Sequence, residues 1–203
     1  MTQTFNFIVV GAGMVGAAIA NGLADRGHTI ALIDQDHPPA FDDHEAPDIR
    51  VSALSVGSEH YLRELGVWHH MLAMRGTPYR RLSVWEARGH PVSQWLPGEP
   101  PRTTFSAADL KTDHLGHIVE NRVTQGALWR KAEQQDTITL FAGASVDTLQ
   151  DDGDNARVTL SDRQLIHGRL VIGADGAASR VRQLAGIGVT RDQYQQQALV
   201  ASA

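Results

Sequence analysis

The chain has 203 residues, 42% of them hydrophobic and 20% charged, with a formal net charge of −5. That is the make-up of a globular protein of one or two domains with a real core, and it lacks the basic excess of a nucleic-acid binder. There is no cysteine, which excludes disulfides, iron–sulfur clusters and thiolate zinc sites and fits a reducing compartment.

The N-terminus, "MTQTFNFIVVGAG", has no basic region, and its short apolar run breaks into glycines, unlike a signal peptide. No apolar stretch approaches the roughly 18 residues that a bilayer span needs. The expected location is the cytoplasm, and peripheral contact with a membrane is compatible with it. "FNFIVV" predicts a buried strand, "MVGAAIANGLADRG" a helix closing near Gly27, and "HTIALID" a second strand ending at Asp34. This is a βαβ unit with parallel pairing and a right-handed crossover.

Between the first strand and the helix lies "GAGMVG", a G-x-G-x-x-G turn. Gly11 permits the tight turn, Gly13 lets the backbone approach a pyrophosphate, and Gly16 lets the helix pack closely. The helix N-terminus offers N–H groups and partial positive charge to phosphates. Asp34 stands where a carboxylate accepts hydrogen bonds from both ribose hydroxyls of an adenosine and repels a 2′-phosphate. The expected nucleotide is therefore FAD or NAD, not NADP.

Residues 36–50 read as a polar, proline-containing connection, followed by a helix over "SALSVGSEHYLRELGV" with Leu54, Tyr61, Leu62 and Leu65 available to one face. Ser52, Ser55 and Ser58 read as helix-start and surface residues. Residues 80–96 suggest two strands around Gly89-His90-Pro91, and 97–101 a loop. "NRVTQGALWRKAEQQ" is an amphipathic helix with Val123, Ala127, Leu128 and Ala132 inward. Short strands follow at 137–141, 144–149, 156–160 and 164–167, and another at 169–176 runs into a second glycine turn, "GADGAASRVR". The order predicts an α/β, Rossmann-like nucleotide-binding domain with antiparallel strands inserted.

Arg50, after the polar connection, is a candidate phosphate ligand or an ion-pair partner of Asp42, Asp43, Glu45 and Asp48. Arg122 opens a helix, where a cation opposes the macrodipole. A pyrophosphate or flavin nearby would explain it, and so would solvation. Asp113, His114 and His117 lie close in sequence, but a metal site needs further support, so they read as surface or loop residues. His69 and His70 point to different helix faces. The four tryptophans read as core or interface residues. No nucleophile elbow, P-loop or H-E-x-x-H is present. A plain NAD-linked dehydrogenase would account for the first glycine turn and give the second no role.

Taken together, "IVVGAGMVG", "DIRVSALSVGSEHYLRELGVW", "YRRLSVWE", "HLGHIVEN" and "RLVIGADGAASRVRQLAGI" resemble the ubiquinone-biosynthesis hydroxylases. These are FAD-dependent aromatic monooxygenases related to p-hydroxybenzoate hydroxylase. The resemblance covers essentially the whole chain. It implies that Gly11, Ala12, Gly13, Met14, Val15 and Gly16 surround the FAD pyrophosphate and that Asp34, a glutamate in many members, holds the ribose. It also implies that Arg50 and Arg122 contact the phosphates and the flavin linker, that Val146 meets the adenine through its backbone, and that Asp175 lies near the pyrophosphate and serves NAD(P)H. Ser179 and Arg182 brace the second turn.

The implied reaction is hydroxylation of a polyprenylated phenol or benzoquinol with NAD(P)H and O2, through a C4a-hydroperoxyflavin, with no catalytic side chain nominated. The implied division is an FAD-binding domain in segments 1–78 and 107–188, substrate-domain strands over 79–106, and the start of a truncated substrate domain over 189–203. A third Gly-Asp fingerprint and most of the substrate domain are expected beyond this sequence. The chain is thus a fragment, a truncated product or a non-catalytic nucleotide-binding module, with apolar surfaces open to self-association. Association with a ubiquinone-biosynthesis complex at the inner membrane is compatible with the resemblance.

Overall fold

The computed structural model describes residues 3–85 and 102–200. The chain begins with the expected unit: β1 (Gln3–Val10), α1 (Met14–Ala24) and β2 (Ile30–Asp34), with β1 and β2 parallel. Later strands complete the sheet: β8 (Ile138–Ala142), β9 (Val146–Asp151), β10 (Ala156–Leu160) and β11 (Leu165–Gly173). The six-stranded order is β8-β2-β1-β11-β10-β9, with β8, β2, β1 and β11 parallel and β10 and β9 antiparallel additions at one edge.

Side-chain alternation assigns the two faces. Ile8, Val10, Ala31 and Ile33 join Val158, Leu160 and Ile166 in one core. Their neighbours Val9, Ile30 and Leu32 pack with Ala20, Ala24, Trp129 and Ala132 of the helical layer.

That layer is α1 against α4 (Asn121–Glu133), whose Val123, Ala127, Leu128 and Ala132 are buried as their spacing predicts. A second cluster joins α4 to α2 (Val56–Glu64) and α3 (Trp68–Met74) through Leu62, Leu65, Trp68, Met71 and Leu128. A smaller sheet of β3 (Val51–Ser55), β7 (Gly116–Glu120) and β4 (Thr77–Tyr79) lies beside these helices. A two-stranded ladder of β5 (Arg81–Trp85) and β6 (Arg102–Ser106) stands apart from both sheets, with Leu82, Val84, Trp85 and Phe105 exposed. α5 (Arg180–Leu184) follows β11.

The structure corrects two expectations. Residues 51–55 are a strand: Val51 to Ser55 pair antiparallel with Glu120 to Gly116, and the helix starts only at Val56, where the Ser55 hydroxyl accepts from Ser58 N–H. The strands expected at 164–167 and from 169 are one strand, β11, continuous through Gly168, where a Cβ would lie 2.6 Å from Ile8. Arg81–Trp85 pairs with Arg102–Ser106; the second strand and the loop expected over 86–101, with Trp95, lie outside the described residues.

Asn21, fully buried in α1, ties the helical layer together. Its amide donates to the Ala17 and Leu128 carbonyls at 2.8 and 2.9 Å and its oxygen accepts from Gln135. Asn21→Ala is expected to lower the unfolding free energy by about 1–3 kcal/mol in a denaturant titration, the cost of leaving buried polar groups unpaired. An unchanged midpoint would mean that the bridge contributes nothing.

Candidate functional site

β1 sits between β2 and β11, so the turns that leave β1 and β11 emerge side by side at the carboxyl ends of the parallel strands. That is where open α/β sheets bind ligands. The two turns touch. Ala174 N–H donates to the Val10 carbonyl and Gly11 N–H to that of Ile33.

Gly11 has φ +97°, and a Cβ there would lie 2.4 Å from the Ala174 carbonyl oxygen, so both conformation and space demand glycine. Gly16 faces the Gly11 carbonyl and Ala174, which brings α1 against both turns. A Cβ on Gly13, by contrast, would meet nothing within 4 Å. Gly13 is also the N-cap of α1, and no side chain caps it. The first turn of the helix therefore presents N–H groups to open space, the arrangement that receives a phosphate.

These turns bound a cleft of about 380 Å3. Gly11, Gly13, Asp34, Val146 and Asp175 all line it, so five of the eleven nominated residues converge there. Ala12 N–H donates to Asp34 Oδ2 and Asp36 N–H to Oδ1, which fixes the carboxylate at the mouth and leaves each oxygen a further lone pair. Met14 begins α1, and Val15 is exposed on it. The Gln125 amide reaches from α4 to the Ala12 carbonyl at 3.3 Å.

The second turn is built around Asp175. Its carboxylate accepts from the Ser179 hydroxyl at 2.6 Å and from Arg180 and Val181 N–H, while Ser179 Oγ caps α5 through Arg182 N–H. The Arg182 guanidinium donates to the Ala177 carbonyl, so Ser179 and Arg182 brace the turn as expected. Burial pushes the Asp175 carboxyl up, but the Ser179 hydroxyl and the backbone N–H donors outweigh it and hold it below the ordinary aspartate value.

The two arginines nominated from sequence do not line this cleft. Arg50 is exposed; its backbone N–H donates to Asp48, and its side chain has no ion-pair partner among the described residues. Arg122 faces a separate hollow of about 230 Å3 and pairs with Glu120 and Glu45, so carboxylates account for a cation at that helix start. The cation the cleft does contain is Arg180, which no local pattern separates from its neighbours in the chain. Its Nη2 donates to the Asp147 carbonyl at 3.3 Å. Among the lining residues Asp34, Asp36 and Asp175 are acidic and Arg180 alone is basic.

His114 and His117 differ from expectation as well. Neither is a loose surface histidine: both bond to Glu59, which is fully buried, while Asp113 stays exposed. Among the tryptophans, Trp68 and Trp129 are buried and Trp85 is 54% exposed.

Two contiguous glycine turns, an acid at the end of the second strand and an uncapped helix define a dinucleotide-binding fold of the flavoprotein kind. Residues 4–202 match the family model described as FAD binding domain; the chain belongs to that family, and FAD is its cofactor. Over 200 residues it is 42% identical to 3-demethoxyubiquinol 3-hydroxylase of Escherichia coli K12, covering 98% of this chain and 48% of the relative. Ubiquinone hydroxylase UbiL of Rhodospirillum rubrum is 32% identical over 95% of this chain and 42% of its own length. The chain thus spans about half the length of the curated relatives it matches. Among solved structures, PqsL of Pseudomonas aeruginosa in complex with 2-aminobenzoylacetate superposes with TM-score 0.72 at 21% identity, over 95% of this chain and 48% of that one, which shows the shared fold.

The Asp175 carboxyl is lowered on folding from its ordinary value of 3.8, so its bonds stabilise the chain above that pH and are lost as pH falls through the folded value. Asp175→Asn is expected to melt below the parent at neutral pH, the gap narrowing below about pH 4. Melting temperatures followed across that range test this, and a gap independent of pH would refute it.

Proposed function

We propose that the chain carries the FAD-binding part of a flavin-dependent monooxygenase that hydroxylates a polyprenylated phenol or benzoquinol in ubiquinone biosynthesis, with NAD(P)H and O2 as co-substrates. The observation that carries the reading is the 42% identity to 3-demethoxyubiquinol 3-hydroxylase along nearly the whole chain, through both turns of the cleft. Bound FAD would accept a hydride from NAD(P)H and, once reduced, supply the activated oxygen for ring hydroxylation.

The protein's part is to bind and orient. The N–H groups at the start of α1 take the pyrophosphate, with Gly11 and Gly16 keeping the turn tight and Gly13 leaving the approach open. Asp34 accepts from the ribose hydroxyls with its spare lone pairs, and the β9 backbone at Val146 meets the adenine. Asp175 holds the second turn in shape against the first. A diphosphate entering among three carboxylates needs a positive partner beyond the helix N-terminus, and Arg180 supplies it. Arg50 and Arg122 enter as linker contacts on the resemblance alone. The 79–106 segment belongs, in this reading, to the substrate side, supported by the exposed apolar residues of the β5–β6 ladder. A polyprenyl tail partitions into lipid, so that side works against a membrane surface, although no helix of the described residues is long and apolar enough to cross one.

Calorimetric titration with FAD tests the assignment. The parent chain is expected to bind, and Asp34→Arg to bind at least ~10-fold more weakly, because a charge-assisted bond worth about 1.5–3 kcal/mol is replaced by a clash. Arg180→Gln is expected to lose several-fold at low salt and Arg180→Lys to retain affinity, since the contribution is one of charge. Parent-like binding by Asp34→Arg would remove the cleft from the reading. Equal losses in Arg180→Gln and Arg180→Lys would remove the charge role of Arg180.

A further inference from the structure

Away from the cofactor cleft, Glu59, His114 and His117 gather from three parts of the fold. Glu59 lies in α2 with its side chain fully buried. His117 is on β7, where it stands opposite Leu54 of β3 and Pro78 of β4. His114 lies in the turn just ahead of that strand. Glu59 Oε1 is 2.6 Å from His117 Nδ1, Oε2 is 3.0 Å from His114 Nε2, and the two rings meet edge-on at 4.7 Å. All three donor atoms fall within 4.8 Å of one another. Nothing in the flavin reading uses them.

We propose that these three residues form a binding site for a divalent transition-metal ion of the zinc class, with a structural role. Two imidazole nitrogens and one carboxylate oxygen are a donor set suited to Zn2+ and its neighbours, whereas Mg2+ and Ca2+ take oxygen. Metal–ligand distances of about 2.0–2.2 Å set tetrahedral donors roughly 3.4 Å apart, so Glu59 Oε1 and His117 Nδ1, 2.6 Å apart, need open by less than about 1 Å, while His114 Nε2 swings from Oε2 toward the same point.

Supporting contacts are in place. Arg63 Nη2 holds Glu59 Oε2 at 3.2 Å, which leaves Oε1 as the single coordinating oxygen, and Trp68 packs edge-on to the His117 ring at 5.0 Å. His117 would coordinate through Nδ1 and His114 through Nε2, the nitrogens that face the Glu59 carboxylate, so the proton each donates to it moves to the ring's other nitrogen or leaves to solvent as the metal binds. The exchange replaces two hydrogen bonds to the carboxylate with two nitrogen–metal bonds. The His114 side chain is 25% exposed, which gives the ion its entry and a water the fourth position. The bound ion pins α2 to the β3-β7-β4 sheet.

The test uses the whole chain, stripped with chelator and titrated with Co2+ by visible absorption and with Zn2+ by calorimetry and melting temperature. The expected result is one saturable ion per chain, a tetrahedral Co2+ spectrum and a rise in melting temperature with Zn2+. Glu59→Gln probes the buried ligand. His114→Gln, at the partly exposed position, tests the same site if the first variant folds poorly. Each should weaken binding by more than the ~10–100-fold that loss of a supporting contact costs, while His69→Ala and His70→Ala leave it unchanged. Absence of saturable binding, or parent-like binding by a folded His114→Gln, would overturn the site and leave the cluster as a hydrogen-bonded ion pair.

Discussion

The contact between the Gly11 turn and the Ala174 carbonyl is the constraint on which the rest of the site depends. Two strand-to-helix turns lie far apart in sequence, and only the placement of β11 beside β1 brings them together. Once they meet, no side chain can stand between them: a Cβ on Gly11 would occupy the Ala174 carbonyl, and one on Gly16 the Gly11 carbonyl. Close packing on one side of the turn and open space at Gly13 on the other are two aspects of the same geometry. The helix is drawn in where the protein meets itself and left uncapped where the cleft opens. A second glycine turn therefore does more than mark a family. It is the back wall of the cleft formed by the first.

The electrostatics follow from that arrangement. Asp34 and Asp175 end neighbouring parts of the sheet and are both fixed by backbone N–H groups, so their carboxylates are positioned before any nucleotide binds. Fixed acids suit hydroxyl groups and oppose phosphates. The positive end of α1 and the Arg180 side chain counter them at the same cleft. On the proposed reading this division would separate the two chemistries of a nucleotide: sugar hydroxyls to carboxylates, diphosphate to N–H dipoles and guanidinium.

The sequence revealed these features unevenly, for a physical reason. β1, α1, β2 and the glycine turn are local: their residues are near neighbours in the chain, so strand alternation, glycine spacing and the terminal acid are all visible within about thirty positions. The faces of α4 were legible for the same reason. Ser52 to Ser55 misled because Leu54, Leu62 and Leu65 fit one helical face, whereas the strand exists by pairing with β7 more than sixty residues later. His114 and His117 read as surface residues because their partner, Glu59, is 55 and 58 positions away. Arg180 became distinct from Arg182 only through the fold: one reaches the start of β9, the other turns back onto its own loop.

The polar connection over 36–50 shows how an irregular segment acquires a shape without secondary structure. Glu120, buried at the end of β7, accepts from Asp48 N–H, Arg75 and Arg122 together. Burial pushes its carboxyl up, and these three donors more than reverse that, so it stays ionised. Arg75 also donates to the Asp43 and Glu45 carbonyls, and the Arg75 and Arg122 guanidinium groups both lie over Phe41 at 5.2 and 5.5 Å. One buried acid thus organises two arginines, and the arginines hold the loop. Because Arg122 is engaged by Glu120 and Glu45 at once, any contact it makes with a cofactor must be shared with those carboxylates. Its position is fixed by the loop it restrains, and the loop's by Glu120, so the cleft and the connection beside it are set by separate anchors: backbone against backbone at Gly11, and a buried carboxylate at Glu120.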